Sequence, residues 1–143
     1  IASKKFQSGM QSLRQIEFAL FDMLIHMEGN PDNLDVISTL ESVRDEIAVV
    51  RPPHWNRFPH SFSHIFAGGY AAGYYSYKWA EVLSADVFEE FENNGVLSKD
   101  VGARFRNEIL SVGGSRSAKE SFIKFKGREP SVEALLRHNG LAA

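Results

Sequence analysis

Apolar residues in this chain recur at intervals of three and four, in segments cut by Gly and Pro, with no sustained alternation of apolar and polar positions. That spacing is the period of one α-helical face, whereas a half-buried strand needs period two. The chain is therefore expected to be all-α. A first helix is expected from about Ser3 to Met27, with Phe6, Met10, Leu13, Ile16, Leu20 and Leu24 as its apolar stripe. Ser3 would be its N-cap and Gly29-Asn30-Pro31 its stop. A second spans about Asn33 to Val49, with Leu34, Ile37, Leu40, Val43 (or Arg44) and Ile47 turned inward, and Pro52-Pro53 ends it. A loop rich in aromatics, His and Gly covers Arg51 to Gly69. The third helix is expected from near Tyr70 to Asn94-Gly95, and the fourth from Ser98, as N-cap, to Val112. Ser117-Ala118-Lys119-Glu120 has the capping-box pattern for a fifth, stopped at Gly127. Pro130 suits the first turn of a sixth, which ends at Asn139-Gly140.

Composition narrows the function classes. The 143 residues are 43% hydrophobic and 24% charged, the balance of an ordinary globular chain rather than a disordered one. The length suits one domain or a large piece of one, and no repeat or composition shift divides it, so residues 1–143 are read as a single helical segment. A formal net charge of −2 gives no case for a nucleic-acid partner. Without Cys there is no disulfide framework, thiolate metal site or thiol nucleophile, and a reducing, cytoplasmic location fits. Ile1 is not an initiator Met, and the chain is read as trimmed or as a fragment. Phe58 to Tyr77 holds twenty residues free of Asp, Glu, Lys and Arg, the length of a membrane span. It also holds Pro59, His60, His64 and Gly68-Gly69, so it reads as a buried or cleft-lining segment, with no membrane partner expected.

The chemistry concentrates between His54 and Glu81. No H-E-x-x-H, glycine-rich phosphate loop, G-x-S-x-G or metal-spaced carboxylate cluster is present. His54, His60 and His64 lack a carboxylate among them and read as loop histidines, one of which can hydrogen-bond a ligand. Gly68-Gly69 is either a turn or a mobile loop that closes over a ligand. Tyr70, Tyr74 and Tyr77, spaced four and three apart, fall on one face of the expected third helix. Such a stripe is either amphipathic packing or a set of uncharged donors suited to an oxyanion. Arg104, Arg106 and Arg116 read as solvated or ion-paired, and Lys124, Lys126 and Arg128 as cations complementing a helix end.

The run from His64 to Tyr77, HIFAGGYAAGYYSY, resembles the substrate loop and helix of the thimet oligopeptidase family of zinc metallopeptidases. The continuation Lys78 to Phe88 fits the same family, as do Gly113-Gly114-Ser115 and Phe125-Lys126-Gly127-Arg128-Glu129-Pro130. The resemblance covers essentially the whole chain. It implies a mostly helical, two-lobed enzyme that hydrolyses short peptides in a deep channel. It also implies a zinc held by two His of an H-E-x-x-H helix and a later Glu, the motif's own Glu being general base toward the metal-bound water. In the family those groups precede the region matched here. The resemblance thus implies a C-terminal segment of the catalytic domain, roughly one-fifth of a full-length member. Its partners would be short peptides and the upstream part of the same polypeptide; the segment alone would hold no zinc and be inactive. By the same resemblance Tyr70 and Tyr77 reach the scissile carbonyl and help hold the tetrahedral intermediate. Tyr74 lines the cleft, His64 contacts bound peptide, and Gly68 and Gly69 form a flexible loop over the substrate. Between His64 and Gly68 this chain has Ile65-Phe66-Ala67, one residue more than the animal members. Two other readings stand beside this one: a stand-alone, non-catalytic helical module that binds peptides or a protein, and a purely structural lobe.

Overall fold

The computed structural model describes residues 2–27 and 31–142. Among these residues there is no strand, and the regular elements are all helical, as the spacing predicts. The chain forms two compact units, Ile1–Lys78 and Trp79–Ala143.

In the first unit a short helix α1 (Ala2–Lys5) precedes α2 (Ser8–Met27). The expected single helix from Ser3 is broken because Gln7 sits at φ +54°, outside right-handed helical geometry, so Ser3 lies within α1 and does not cap the long helix. Two residues of the expected stop, Gly29 and Asn30, lie outside the described residues. Helix α3 (Val36–Ile47) starts later than expected, at a cap the sequence reading passed over: Asp35 Oδ1 accepts the Ser38 N–H at 2.9 Å. Its inward residues include Leu40, Val43 and Arg44, as the spacing requires.

The inward face of α2 differs from expectation. The buried residues are Glu17, Phe21, Asp22 and Ile25, together with Ser8. Leu13, Ile16 and Leu20, central to the expected stripe, are each more than one-third exposed. The reason is where the partners lie. Leu40 of α3 and Phe62 and Ile65 from the loop pack with Phe21 and Ile25, and Phe18, Phe58 and Tyr74 close around them. This chain leaves the Leu13–Ile16–Leu20 stripe uncovered. Beside the core, Arg44 Nε bonds Glu17 Oε1 at 3.1 Å, both side chains about 1% exposed. A buried charge is tolerated only when paired in this way.

The charge-free stretch is not a single element. Phe58–Ser61 is a 3₁₀ turn, α4 (Ser63–Phe66) follows, turns occupy 71–75, and α5 (Ser76–Asn94) begins only then. No described helix is long and apolar enough to cross a membrane.

The second unit begins within α5, which ends at Asn94 before Gly95 at φ +96°, the expected left-handed stop. Helix α6 (Lys99–Phe105) starts at Ser98, whose side chain accepts from the Val101 N–H. It runs into a π-helical turn over Arg106–Leu110, closed by a 2.8 Å bond from the Ser111 N–H to the Arg106 carbonyl. Helix α7 (Ala118–Lys126) carries the expected Ser117 cap, with the Glu120 N–H bonded to its oxygen, and the expected Gly127 stop at φ +78°. Helix α8 (Glu133–His138) starts three residues beyond Pro130. Val82, Ala85, Val101, Phe122, Phe125 and Ala134 are buried in this unit.

Lys126 and Arg128 do more here than complement a helix end. Arg128 makes two bonds to the fully buried carboxylate of Asp86, at 2.6 and 2.8 Å, and the Ser131 N–H adds a third at 2.7 Å. Lys126 and Arg137 bond Glu89 at 2.9 and 3.1 Å. Burial pushes the Asp86 carboxyl up, but the Arg128 and Ser131 hydrogen bonds and nearby positive charge outweigh it and hold it below the ordinary carboxylate value. The Lys126 hydrogen bond lowers Glu89 as well. A carboxyl lowered in the folded state contributes stability above its unfolded value near 4, lost as pH falls through its folded value. We expect Asp86→Asn to cost about 2–3 kcal/mol at neutral pH. Hydrogen exchange over residues 79–143 should show that difference shrinking as pH drops below about 4. A gap that stays constant with pH would remove Asp86 from the acid response.

Candidate functional site

All six residues singled out in the sequence, His64, Gly68, Gly69, Tyr70, Tyr74 and Tyr77, fall in the first unit, between α4 and the start of α5. The structure brings the aromatic ones together, although not by the expected route. Tyr70 and Tyr74 precede α5 and lie in irregular backbone, so a shared helical face does not align the three tyrosines. Folding of the turn does. The Gly73 N–H bonds the Tyr70 carbonyl at 2.8 Å, and the Tyr77 N–H bonds the Tyr74 carbonyl at 3.3 Å. The Tyr70 and Tyr77 rings then stack 5.1 Å apart at 30°, and Tyr74 lies 5.2 Å from Tyr77. The His64 ring is 6.4 Å from Tyr70 and 6.1 Å from Tyr74.

Exposure separates the roles open to these rings. Tyr70 and Tyr77 are 37% and 40% exposed, and His64 is also exposed. Tyr74 is half-buried against Phe62 and Phe18, and its hydroxyl donates to Gln15 Oε1 at 2.9 Å. Its hydroxyl is therefore already committed to the scaffold. A hydrogen bond with Tyr70 pushes the Tyr77 hydroxyl above its ordinary pKa, with desolvation and the neighbouring phenols adding to the effect. Tyr77 thus keeps its proton at neutral pH.

The two glycines differ in kind. Gly68 bonds the Ser63 carbonyl at 2.8 Å, and a Cβ at this position would lie 2.8 Å from the His64 carbonyl oxygen and 2.9 Å from its Cα. No residue with a side chain fits without moving backbone. Gly69 has open space around it but sits at φ +78°. The Tyr70 N–H then bonds the His64 carbonyl at 3.1 Å, closing the turn.

The residue the sequence reading missed is Asp22. It has no exposed surface, its Oδ1 accepts the Ala72 N–H and its Oδ2 the Tyr74 N–H, each at 2.9 Å, and His26 Nδ1 stands 2.9 Å from Oδ1. This is also why α5 starts late. Ala72 is held at φ +53°, which interrupts a right-handed helix, and the amides at 72 and 74 are taken by a side chain 50 and 52 residues away. One signal was available: Gln15, Phe18 and Asp22 are spaced three and four apart on one face of α2. A lone Asp inside the apolar run FALFDMLI belongs either to solvent or to a buried contact.

Among the described residues no group of three or more His, Asp or Glu is arranged to hold a metal ion, so the residues present do not fit the zinc implied by the resemblance. A hollow of about 550 Å³ in the second unit, lined by Leu83, Val87, Phe91, Phe105, Ile109 and Phe122 among others, contains none of the singled-out residues.

Residues 1–141 match the sequence profile of peptidase family M3. The chain belongs to that family. This M3 chain is 49% identical over 142 residues to oligopeptidase A of Escherichia coli (strain K12), an alignment covering 99% of the chain and 21% of that protein. It is 50% identical to the probable cytosolic oligopeptidase A of Arabidopsis thaliana, covering 100% and 21%. It is 33% identical to saccharolysin of Saccharomyces cerevisiae (strain ATCC 204508 / S288c), covering 99% and 20%. The M3 chain therefore spans about one-fifth of the length of these relatives.

The close approach at Gly68 makes a prediction. Gly68→Ala should lower amide-exchange protection across residues 63–70, because the His64 backbone must move. If protection there is unchanged, the Gly68–His64 contact does not hold the turn.

Proposed function

We propose that this chain is the part of a peptide-hydrolysing zinc oligopeptidase that binds substrate and steadies the charged intermediate. The observation that carries the reading is the pair of stacked, exposed tyrosines, Tyr70 and Tyr77, beside His64, in a chain of peptidase family M3. Attack on a peptide carbonyl places negative charge on its oxygen. A neutral hydroxyl stabilises that charge by donating a hydrogen bond, with no charge of its own to desolvate. Tyr70 and Tyr77 are the donors in this reading. Tyr74, its hydroxyl held by Gln15, shapes the wall of the cleft. His64 contacts the bound peptide, and Gly68 and Gly69 form the backbone that covers it. The zinc and its ligands belong to the rest of the polypeptide. A cytoplasmic location belongs to the same proposal, and one plant relative carries the cytosol in its name.

Tyr77→Phe in the complete polypeptide tests the reading. It removes one donor and should lower kcat by about 10²–10³ while leaving metal content unchanged. Steady-state kinetics on a short quenched-fluorescent peptide would measure it, and an unchanged kcat would falsify the role of Tyr77. The 143-residue chain by itself should hydrolyse no peptide, with or without added zinc. Turnover by the isolated chain would mean that it holds a complete active site of its own.

A further inference from the structure

The geometry points to Asp22 as a positioning residue for Tyr70 and Tyr77, an inference that rests on the function proposed above. Asp22 touches neither hydroxyl and acts through the backbone between them. Its two carboxylate oxygens each take one amide, Ala72 and Tyr74, on either side of Gly73. These two bonds fall in the middle of the segment that separates the two tyrosines. Ala72 is held at φ +53°, a conformation that residues other than glycine rarely adopt, so the turn needs an external restraint to keep it. The restraint is anchored in a long helix. Asp22 sits within α2, five residues before its end at Met27, has no exposed surface, and is backed by His26. A carboxylate with no surface needs donors for both its oxygens, and here two of them are the turn itself.

Gln15 and Phe18 hold the Tyr74 side chain, but they do not hold the backbone at 72. Loss of Asp22 therefore frees the spacing of Tyr70 and Tyr77 while leaving the core of Phe21, Ile25, Leu40, Phe62 and Ile65 in place.

The test uses the complete enzyme with Asp22→Asn, which keeps the size and one acceptor oxygen, and Asp22→Ala, which removes both. Each is made in the wild-type background and in a Tyr70→Phe/Tyr77→Phe background. Misplacement of reacting groups by about 1 Å can cost on the order of 100-fold, so Asp22→Ala should lower kcat by about 10- to 100-fold in the wild-type background. Asp22→Asn should fall between it and wild type. KM and metal content should change little. Residues that act as one unit are not additive, so Asp22→Ala should lower kcat by less than about threefold where both tyrosines are already Phe. Amide exchange at residues 70–77 should rise in both Asp22 variants while that of α3 stays unchanged. A large loss on the tyrosine pair with no loss on Asp22→Ala would overturn this inference and leave the proposed function intact. So would an equal loss from Asp22→Ala in both backgrounds, since that marks a general loss of folded enzyme. No loss on the tyrosine pair would overturn the proposed function, and the positioning role with it.

Discussion

The oxygens of a carboxylate with no exposed surface must find hydrogen-bond donors within the protein, and in the first unit the donors of Asp22 set the course of the chain. Its two oxygens hold amides 50 and 52 residues further along. That closure brings the turn at 71–75 onto α2, delays α5 until Ser76, and gathers three tyrosines and a histidine. The apolar core beside it supplies most of the stabilisation, because burial of Phe21, Leu40, Phe62 and Ile65 removes large surfaces from water. Apolar burial is not directional, however, and it would accept the loop in many conformations. The carboxylate is what selects one of them.

The parts of the fold that could be read from sequence are those governed by local rules. Ser98 and Ser117 cap α6 and α7, and Gly95 and Gly127 end helices in left-handed geometry, because each signal acts within a few residues. The inward face of α3 was equally legible, since its apolar period has no rival. The face of α2 was not. Leu13, Ile16 and Leu20 give the cleaner stripe, yet Phe21 and Ile25 are buried. Which of two apolar stripes turns inward depends on partners elsewhere in the chain. The break at Gln7 and the start of α5 failed for a related reason, because positive φ at Gln7 and Ala72 has no glycine to announce it.

The candidate site shows the same division. The residue types at His64, Tyr70, Tyr74 and Tyr77 and the paired glycines were visible in sequence, and the rings do meet. Helical spacing predicts their alignment, and a turn provides it. The sequence also could not distinguish the glycines. Gly68 is needed for closeness and Gly69 for conformation. In the second unit, Asp86 and Glu89 have no mark in the helical spacing, yet they hold Lys126, Arg128 and Arg137 across more than 35 positions. Long-range ion pairing leaves no periodic trace.

Helix α2 has a mechanical consequence. At 100° per residue, Gln15, Phe18 and Asp22 lie on one side of it and the uncovered Leu13, Ile16 and Leu20 on the other. The helix is a shaft about 30 Å long, held by the tyrosine turn and by the core around Leu40, with its leucine side partly exposed. A tilt of about 5° about its Ser8 end would carry Asp22 by about 2 Å, and the amides of Ala72 and Tyr74 with it. The two bonds of Asp22 thus couple the straightness of α2 to the spacing of the tyrosines.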